Sequence, residues 1–377
     1  MNARERFLTA LRGGVPDRVP VAPDISNMVP CRLTGKPFWD IYLHGDFPLW
    51  KAHLEANRRF GFDAWFYRGG LDYRIESTNE VSHRIVEQRD DRIVRETTIR
   101  NAQGVISQQT AYFRADSPWI VKKWIEDPQR DIPCFLESMG TITGYGTRTL
   151  EAMRAEIRGE YALGFGGFRY PGFQYWINLF EGGLEQILLT HQEQPDLQEG
   201  LRQAEHEANL RRLEYVLEQQ PDYVFLGASG TLTLASPELF RCYGLPTLRE
   251  ITARCRARGV PTLLHSCGRE RELVAIAAAQ TELDCINPLE PPPMGDCELA
   301  EVKREFGLRL ALMGNLHTTE LLRSSREAVI EAARKAIRDA GAGGGFILST
   351  GDQCGRDTPD ENLQALVEAA ERYGRYA

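Results

Sequence analysis

The sequence has no long apolar run. No stretch approaches the roughly 20 consecutive apolar residues that a helix needs to cross a bilayer. Its first twelve residues, MNARERFLTALR, mix charged and apolar residues at helical spacing and lack the uninterrupted apolar segment of a secretory signal. We therefore expect a soluble, cytoplasmic protein that does not bind membranes.

An excess of positive charge is also missing, since 45 Lys and Arg residues stand against 53 Asp and Glu residues, a formal net charge of −8. Proteins that bind nucleic acid need a basic surface because it offsets the charge of the phosphates. This composition therefore argues against nucleic acid as a main partner. The hydrophobic fraction of 42% is ordinary for a globular enzyme or binding protein.

Cysteine is too sparse for a disulfide framework in a chain of 377 residues. The eight cysteines are scattered at positions 31, 134, 242, 255, 267, 285, 297 and 354. In a reducing compartment most of them are expected to be small buried hydrophobic residues. A cysteine with a functional role has to be identified by the residues that lie near it.

Short apolar runs alternate with long amphipathic segments, as in repeated strand–helix units that form a parallel sheet. The predicted strands are 19–24, 63–69, 161–167, 222–229, 260–267, 283–290, 308–316 and 345–352. Eight strands with intervening helices predict an α/β fold: a single (β/α)8 TIM barrel domain over 1–377.

Two insertions interrupt this rhythm. Segment 72–124 alternates polar and apolar residues, with turn signals at 89–91 and 101–104, and predicts an antiparallel β-meander after the second strand, at the rim or lid of the barrel. Segment 166–183 is rich in aromatic residues. Its candidate substrate-binding side chains are Phe168, Tyr175 and Trp176. They either line a pocket for a flat ligand or pack in the core.

Metal-ligand chemistry occurs at two predicted strand ends. His265 and Cys267 are two residues apart at the end of the fifth strand, so their side chains point to the same side. Cys354 follows the eighth strand, and the carboxyl ends of barrel strands share one face. Imidazole and thiolate together favour zinc, and three protein ligands leave a position for water or substrate. The alternative is that these residues are ordinary core.

The other strand ends carry candidate substrate and proton-transfer residues. Asp24 either accepts a proton or binds a substrate amine, or it caps a helix, and Tyr67 ends the second strand. Glu290 lies in a proline-rich loop and is a fourth ligand, a general acid or a surface ion-pair residue. Asn315 either donates to a substrate oxygen or satisfies a turn.

Several motifs together resemble the uroporphyrinogen decarboxylase superfamily, and within it the corrinoid-dependent methyltransferases. They are RERFLTAL at 4–11, DRVPV at 17–21, HSCG at 265–268, PLE at 288–290, GN at 314–315, GGFILSTG at 344–351 and TPDEN at 358–362. The resemblance covers nearly the whole chain. It implies a single α/β barrel whose zinc is held by a His-x-Cys pair and one later cysteine, here His265, Cys267 and Cys354.

The resemblance also implies the reaction: transfer of a methyl group between a small substrate, as donor or acceptor, and a corrinoid (cobalamin) carried by a separate protein. No segment of the chain resembles a corrinoid-binding domain. The aromatic insertion inclines us towards demethylation of an aryl methyl ether, with methyl transfer to a substrate thiol as the other direction. Whether copies of the chain form a homo-oligomer stays open.

The chain departs from the family at two places. The decarboxylases carry an arginine-rich segment after the first strand, whereas 26–35 has only Arg32, which argues against porphyrinogen decarboxylation. The late zinc ligand of the family directly follows the glycine of the eighth strand, and here that residue is Asp352. We favour Cys354 as the ligand, with Asp352 close behind. In that arrangement Asp352 and Glu290 are the catalytic residues beside the zinc. The rival readings are a metal-free lyase and a non-enzymatic binding protein for a small ligand.

Overall fold

A computed structural model describes residues 1–64, 70–227 and 229–376. Its strands are β1 Asp72–Glu76, β2 Glu80–Gln88, β3 Arg92–Asn101, β4 Gly104–Phe113, β5 Trp119–Lys122, β6 Thr141–Gly146, β7 Gly164–Phe168, β8 Tyr223–Gly227, β9 Thr262–His265, β10 Cys285–Asn287, β11 Ala311–Leu316 and β12 Phe346–Thr350.

Helices connect and cover these strands. The α-helices are α1 Ala3–Leu11, α2 Met28–Leu33, α3 Leu49–Phe60, α4 Pro128–Ser138, α5 Arg148–Ile157, α6 Phe173–Trp176, α7 Gly183–Glu193, α8 Pro195–Glu218, α9 Pro237–Tyr243, α10 Leu245–Ala257, α11 Arg271–Gln280, α12 Leu299–Phe306, α13 Thr318–Arg323, α14 Arg326–Ala340 and α15 Asp360–Tyr373, with a π-helical turn at Asp40–His44. None of the helices in the described ranges combines the length and apolarity that crossing a bilayer requires.

The centre of the fold is a six-stranded parallel sheet in the order β12-β11-β10-β9-β8-β7. Each of these strands overlaps a predicted one, so the α/β class and the parallel sheet are confirmed. The first predicted strand, 19–24, contributes a single parallel bridge between Val21 and Leu348. The second, 63–69, falls mostly on residues 65–69, which lie outside the described residues. Closure of the sheet into a barrel therefore stays a prediction.

Alternate residues of β8 to β12 belong to two different apolar clusters. Leu263 packs with side chains of α1 on one face of the sheet. Leu264 packs with the surrounding helices on the other face. Both faces are buried, as in parallel sheets covered by helices. His265 is two residues beyond Leu263, so it lies on the α1 face at the carboxyl edge. Its ring centroid is 6.4 Å from that of Phe225, another member of that cluster.

The predicted meander divides between two sheets. β2 to β5 form one antiparallel sheet in sequence order, and its first two turns fall in the predicted turn segments. β1 pairs instead with β6. β6 is not predicted from the sequence, because TITGYG carries two glycines and few residues that favour a strand.

The loop between β4 and β5 contacts the loop that follows β12. Arg356 donates to the carbonyl oxygen of Ala115 at 2.7 Å. Phe38 donates its backbone N–H to Arg114 O at 2.8 Å, and the Tyr42 hydroxyl lies 3.3 Å from Ser117 Oγ. The Arg356 bond joins the antiparallel sheet to the loop that carries Asp352, and the other two bonds join it to the segment at 38–42.

Candidate metal centre

Three side chains converge at the carboxyl edge of the parallel sheet. His265 is the last residue of β9, Cys267 follows it by two residues, and Asp352 follows β12. One ligand atom from each lies within 4.8 Å of the others. His265 Nε2 and Asp352 Oδ1 are 4.0 Å apart. An imidazole nitrogen, a thiol sulfur and a carboxylate oxygen can therefore bind one ion together.

A hydrogen-bond chain sets the orientation and tautomer of His265. Its Nδ1 lies 2.7 Å from Asn287 Oδ1. The amide nitrogen of Asn287 donates to Met313 O at 3.1 Å, which identifies Oδ1 as the acceptor towards His265. His265 therefore carries its proton on Nδ1, and the lone pair of Nε2 faces the convergent group. Metal-ligating histidines are held in this way by an acceptor on the other ring nitrogen.

The electrostatics of the centre favour a cation. Burial raises the pKa of the Cys267 thiol to about 12, and the charges of Asp352 and Glu290 add to the effect. A bound cation would counteract both causes, because it neutralises the carboxylates and stabilises the thiolate. One nitrogen, one sulfur and one oxygen donor form a set that suits zinc.

Cys354 is not brought into this group. Its side chain is only 2% exposed and belongs to the apolar core. Its N–H donates to Asp24 O at 2.8 Å, and its carbonyl accepts from Ser26 Oγ at 3.1 Å. Burial is the main cause that raises the pKa of the Cys354 thiol. The backbone N–H and carbonyl of Cys354 are thus both hydrogen-bonded, and its side chain faces the core. The geometry therefore favours Asp352, the other candidate, as the third metal ligand.

Glu290 lies beside the three ligands. Its Oε2 accepts the Gly268 N–H at 2.8 Å. Burial raises the pKa of the Glu290 carboxyl, and the negative charge of Asp352 raises it further. The hydrogen bond from Gly268 acts in the opposite direction. Asn315 holds the same loop, since its Nδ2 donates to Leu289 O at 2.9 Å and to Cys297 O at 3.3 Å. The side-chain amide of Asn315 thus donates to backbone carbonyls, which corresponds to its second predicted role, satisfying a turn.

The remaining predicted site residues have other surroundings. Asp24 Oδ1 accepts the Ser26 N–H at 2.8 Å, a local turn bond. Phe168 and Trp176 are buried in apolar clusters, so for these two the structure favours core packing over a ligand pocket. Tyr175 lines a cavity between α4, α6 and α8. Tyr67 lies outside the described residues.

Sequence reasoning missed the residues that support the centre. Asn287 stands directly opposite His265 in the β9–β10 register, so a polar residue at the end of β10 was the available signal. Glu270 accepts the backbone N–H groups of Leu232 at 3.0 Å and of Thr233 at 3.2 Å, and burial raises its pKa to about 7. Gly230 donates to Cys267 O at 3.0 Å. The loop after β8 thus supports the Cys267 backbone.

Comparisons with known proteins point to one family. Residues 144–373 match the family model described as uroporphyrinogen decarboxylase (URO-D). Methylcobamide:CoM methyltransferase MtbA of Methanosarcina mazei is 27% identical over 44% of this chain and 46% of its own length. A uroporphyrinogen decarboxylase of Anaeromyxobacter dehalogenans is 24% identical over 66% of each chain. The matched region thus spans about half to two thirds of these relatives.

A solved structure extends the similarity of fold to nearly the whole chain. A methyltransferase from Methanosarcina mazei superposes with a TM-score of 0.66 over 99% of both chains, at 19% identity.

The first prediction concerns the ligand set. We expect purified protein to bind about one zinc per chain, and His265→Ala, Cys267→Ser and Asp352→Ala each to lose most of it, because each removes a donor atom. Cys354→Ala should keep the metal, and Cys297→Ala is the matched control for loss of a buried thiol. Elemental analysis gives the zinc content. Loss of zinc from the Cys354 variant with retention by the Asp352 variant would reverse the assignment.

The second prediction concerns Asn287. Replacement by alanine removes the acceptor that orients His265, so zinc affinity should fall on the order of 10- to 100-fold. Competition with a chelating dye measures it. Asn362→Ala is the matched control, because Asn362 is also buried and its amide also donates to backbone carbonyls. Equal affinity in the two variants would show that Asn287 has no role in metal binding.

Proposed function

Because the chain belongs to the uroporphyrinogen decarboxylase (URO-D) family, as its motifs predicted, we propose that it is a zinc-dependent methyltransferase of that family. The methyl group moves between a small substrate and a corrinoid carried by a separate protein. The observation that carries the proposal is the convergence of His265, Cys267 and Asp352 at the carboxyl edge of the sheet. Similarity to MtbA, whose name describes methyl transfer from a methylcobamide, supports it.

His265 Nε2, Cys267 Sγ and a carboxylate oxygen of Asp352 hold the zinc in this proposal. A zinc ion held there would supply Lewis acidity towards a substrate heteroatom or would favour a thiolate over a thiol. Three protein ligands leave room for the substrate atom itself. Asn287 keeps His265 oriented, and Glu270 holds the loop after β8, whose Gly230 donates to the Cys267 carbonyl.

The donor set favours one direction of transfer. A carboxylate is a harder ligand than a second thiolate, so the centre suits a substrate that binds through oxygen. We therefore propose removal of a methyl group from an oxygen atom. Because Phe168 and Trp176 pack in the core, the aromatic insertion no longer supports an aryl substrate, and the proposal names the methyl–oxygen bond alone.

Glu290 is the proposed proton donor. Loss of a methyl group from an ether oxygen leaves an oxygen anion that needs a proton. The Glu290 carboxyl accepts the Gly268 N–H next to Cys267, and this bond fixes it beside the proposed ligands. Its place beside the ligands suits delivery of a proton to the demethylated oxygen.

Decarboxylation is the rival activity, because several relatives are named uroporphyrinogen decarboxylase. Such a reaction needs cationic side chains that bind the carboxylates of the substrate. Arg32, the one arginine of the 26–35 segment, forms an ion pair with Asp360 at 2.6 Å. This pairing leaves Arg32 poorly suited to bind a substrate carboxylate and favours methyl transfer over the rival.

The third prediction is that turnover requires a corrinoid protein. With zinc, a reduced corrinoid protein and a panel of O-methylated compounds, at least one compound should be demethylated, and omission of the corrinoid protein should abolish the reaction. Mass spectrometry of the products measures it. Asp352→Ala should lose activity and Cys354→Ala should keep it. Demethylation without any corrinoid, or release of carbon dioxide from uroporphyrinogen, would refute the proposal.

A further inference from the structure

The cavity that Tyr175 lines is separate from the metal centre. It has a volume of about 420 Å³ and is lined by the end of α4, the start of β6, the chain around α6, and the middle of α8. None of its lining residues is one of the three proposed ligands or Glu290. Its size is within the range of small-molecule sites, on the order of 300–1,000 Å³.

One part of the cavity lining is apolar. Phe135, Leu136 and Met139 of the α4 end and Ile142 of β6 contribute to it, together with the ring of Tyr175. These side chains can enclose a hydrocarbon or aromatic body. Burial raises the pKa of the Tyr175 hydroxyl, so it is a neutral hydrogen-bonding group.

Arginines form much of the remaining lining. Arg169, Arg211 and Arg212 all line the cavity, and none of the three has an ion pair among the residues that the structure describes. The Arg169 guanidinium lies over the Tyr175 ring, 4.8 Å from its centroid. Arginine forks bind carboxylates through two parallel hydrogen bonds.

Two buried polar side chains also line the cavity. Glu205 and Asn209 are 7% and 5% exposed, and each has one oxygen without a hydrogen-bond partner within the described structure. Burial raises the pKa of Glu205 to about 8, which favours its neutral form more than in an ordinary glutamate. The exposed Glu207 is the only other carboxylate in the lining. The three arginines outnumber the two carboxylates of the lining, so the cavity carries net positive charge.

We propose that this cavity binds a small amphipathic organic carboxylate. The apolar body lies against the α4 end and Tyr175, and the carboxylate is bound by Arg169 and Arg212. The site is independent of the methyl-transfer proposal, because none of its residues belongs to the metal centre.

Two probes of similar shape and opposite charge test the proposal by calorimetry on the full chain. Indole-3-acetate should bind saturably, and tryptamine should not, because the cavity is cationic. Arg169→Ala and Arg212→Ala should each weaken indole-3-acetate binding about 10-fold or more, since each removes charge-assisted hydrogen bonds. Arg202→Ala is the matched control: it lies on the same helix, outside the cavity, and pairs with Glu199.

A filling variant gives a second test that does not depend on charge. Ala208 lines the cavity from α8 and is partly exposed, so Ala208→Phe should fill the space, abolish indole-3-acetate binding and leave the circular dichroism spectrum and zinc content unchanged. Equal binding of tryptamine, equal loss in the Arg202 variant, or no saturable binding of indole-3-acetate, benzoate and 4-phenylbutyrate would each overturn the proposal.

Discussion

The hydrogen bond between His265 and Asn287 is the interaction on which the proposed metal centre depends. Asn287 is itself fixed by Met313, so three neighbouring strands, β9, β10 and β11, determine which nitrogen of His265 carries the proton. Without this chain the imidazole could rotate or present the wrong tautomer. With it, the lone pair of His265 Nε2 points towards Cys267 and Asp352. The parallel register is therefore part of the chemistry of the site.

Negative charge is concentrated at this edge of the sheet. Burial raises the pKa of the Cys267 thiol to about 12, and the charges of Asp352 and Glu290 add to that effect. This arrangement is unfavourable for the ionised groups until a cation joins them, and it is therefore a physical reason to expect a metal. The arginines that line the α8 cavity are separate from the metal centre. Because the two sites carry opposite charge, we expect them to bind ligands of opposite charge.

The sequence predicted the features that depend on local patterns. Six buried strands are visible as apolar runs, and the spacing of His265 and Cys267 places both on one side at a strand end. Local sequence patterns do not distinguish Asp352 from Cys354 as the third ligand. That choice depends on the path of a loop that is hydrogen-bonded to Asp24 and Ser26. Asn287 required the strand register. For the aromatic residues of 166–183 the sequence left a ligand pocket and core packing both open, because spacing alone does not distinguish the two.

X-ray absorption at the zinc edge of the wild-type protein tests the central claim most directly, because it counts the sulfur ligands without any substitution. A centre formed by His265, Cys267 and Asp352 predicts about one sulfur at roughly 2.3 Å, with nitrogen and oxygen ligands near 2.0–2.2 Å. A first shell with two sulfur atoms would contradict this account and would make Cys354 the third ligand.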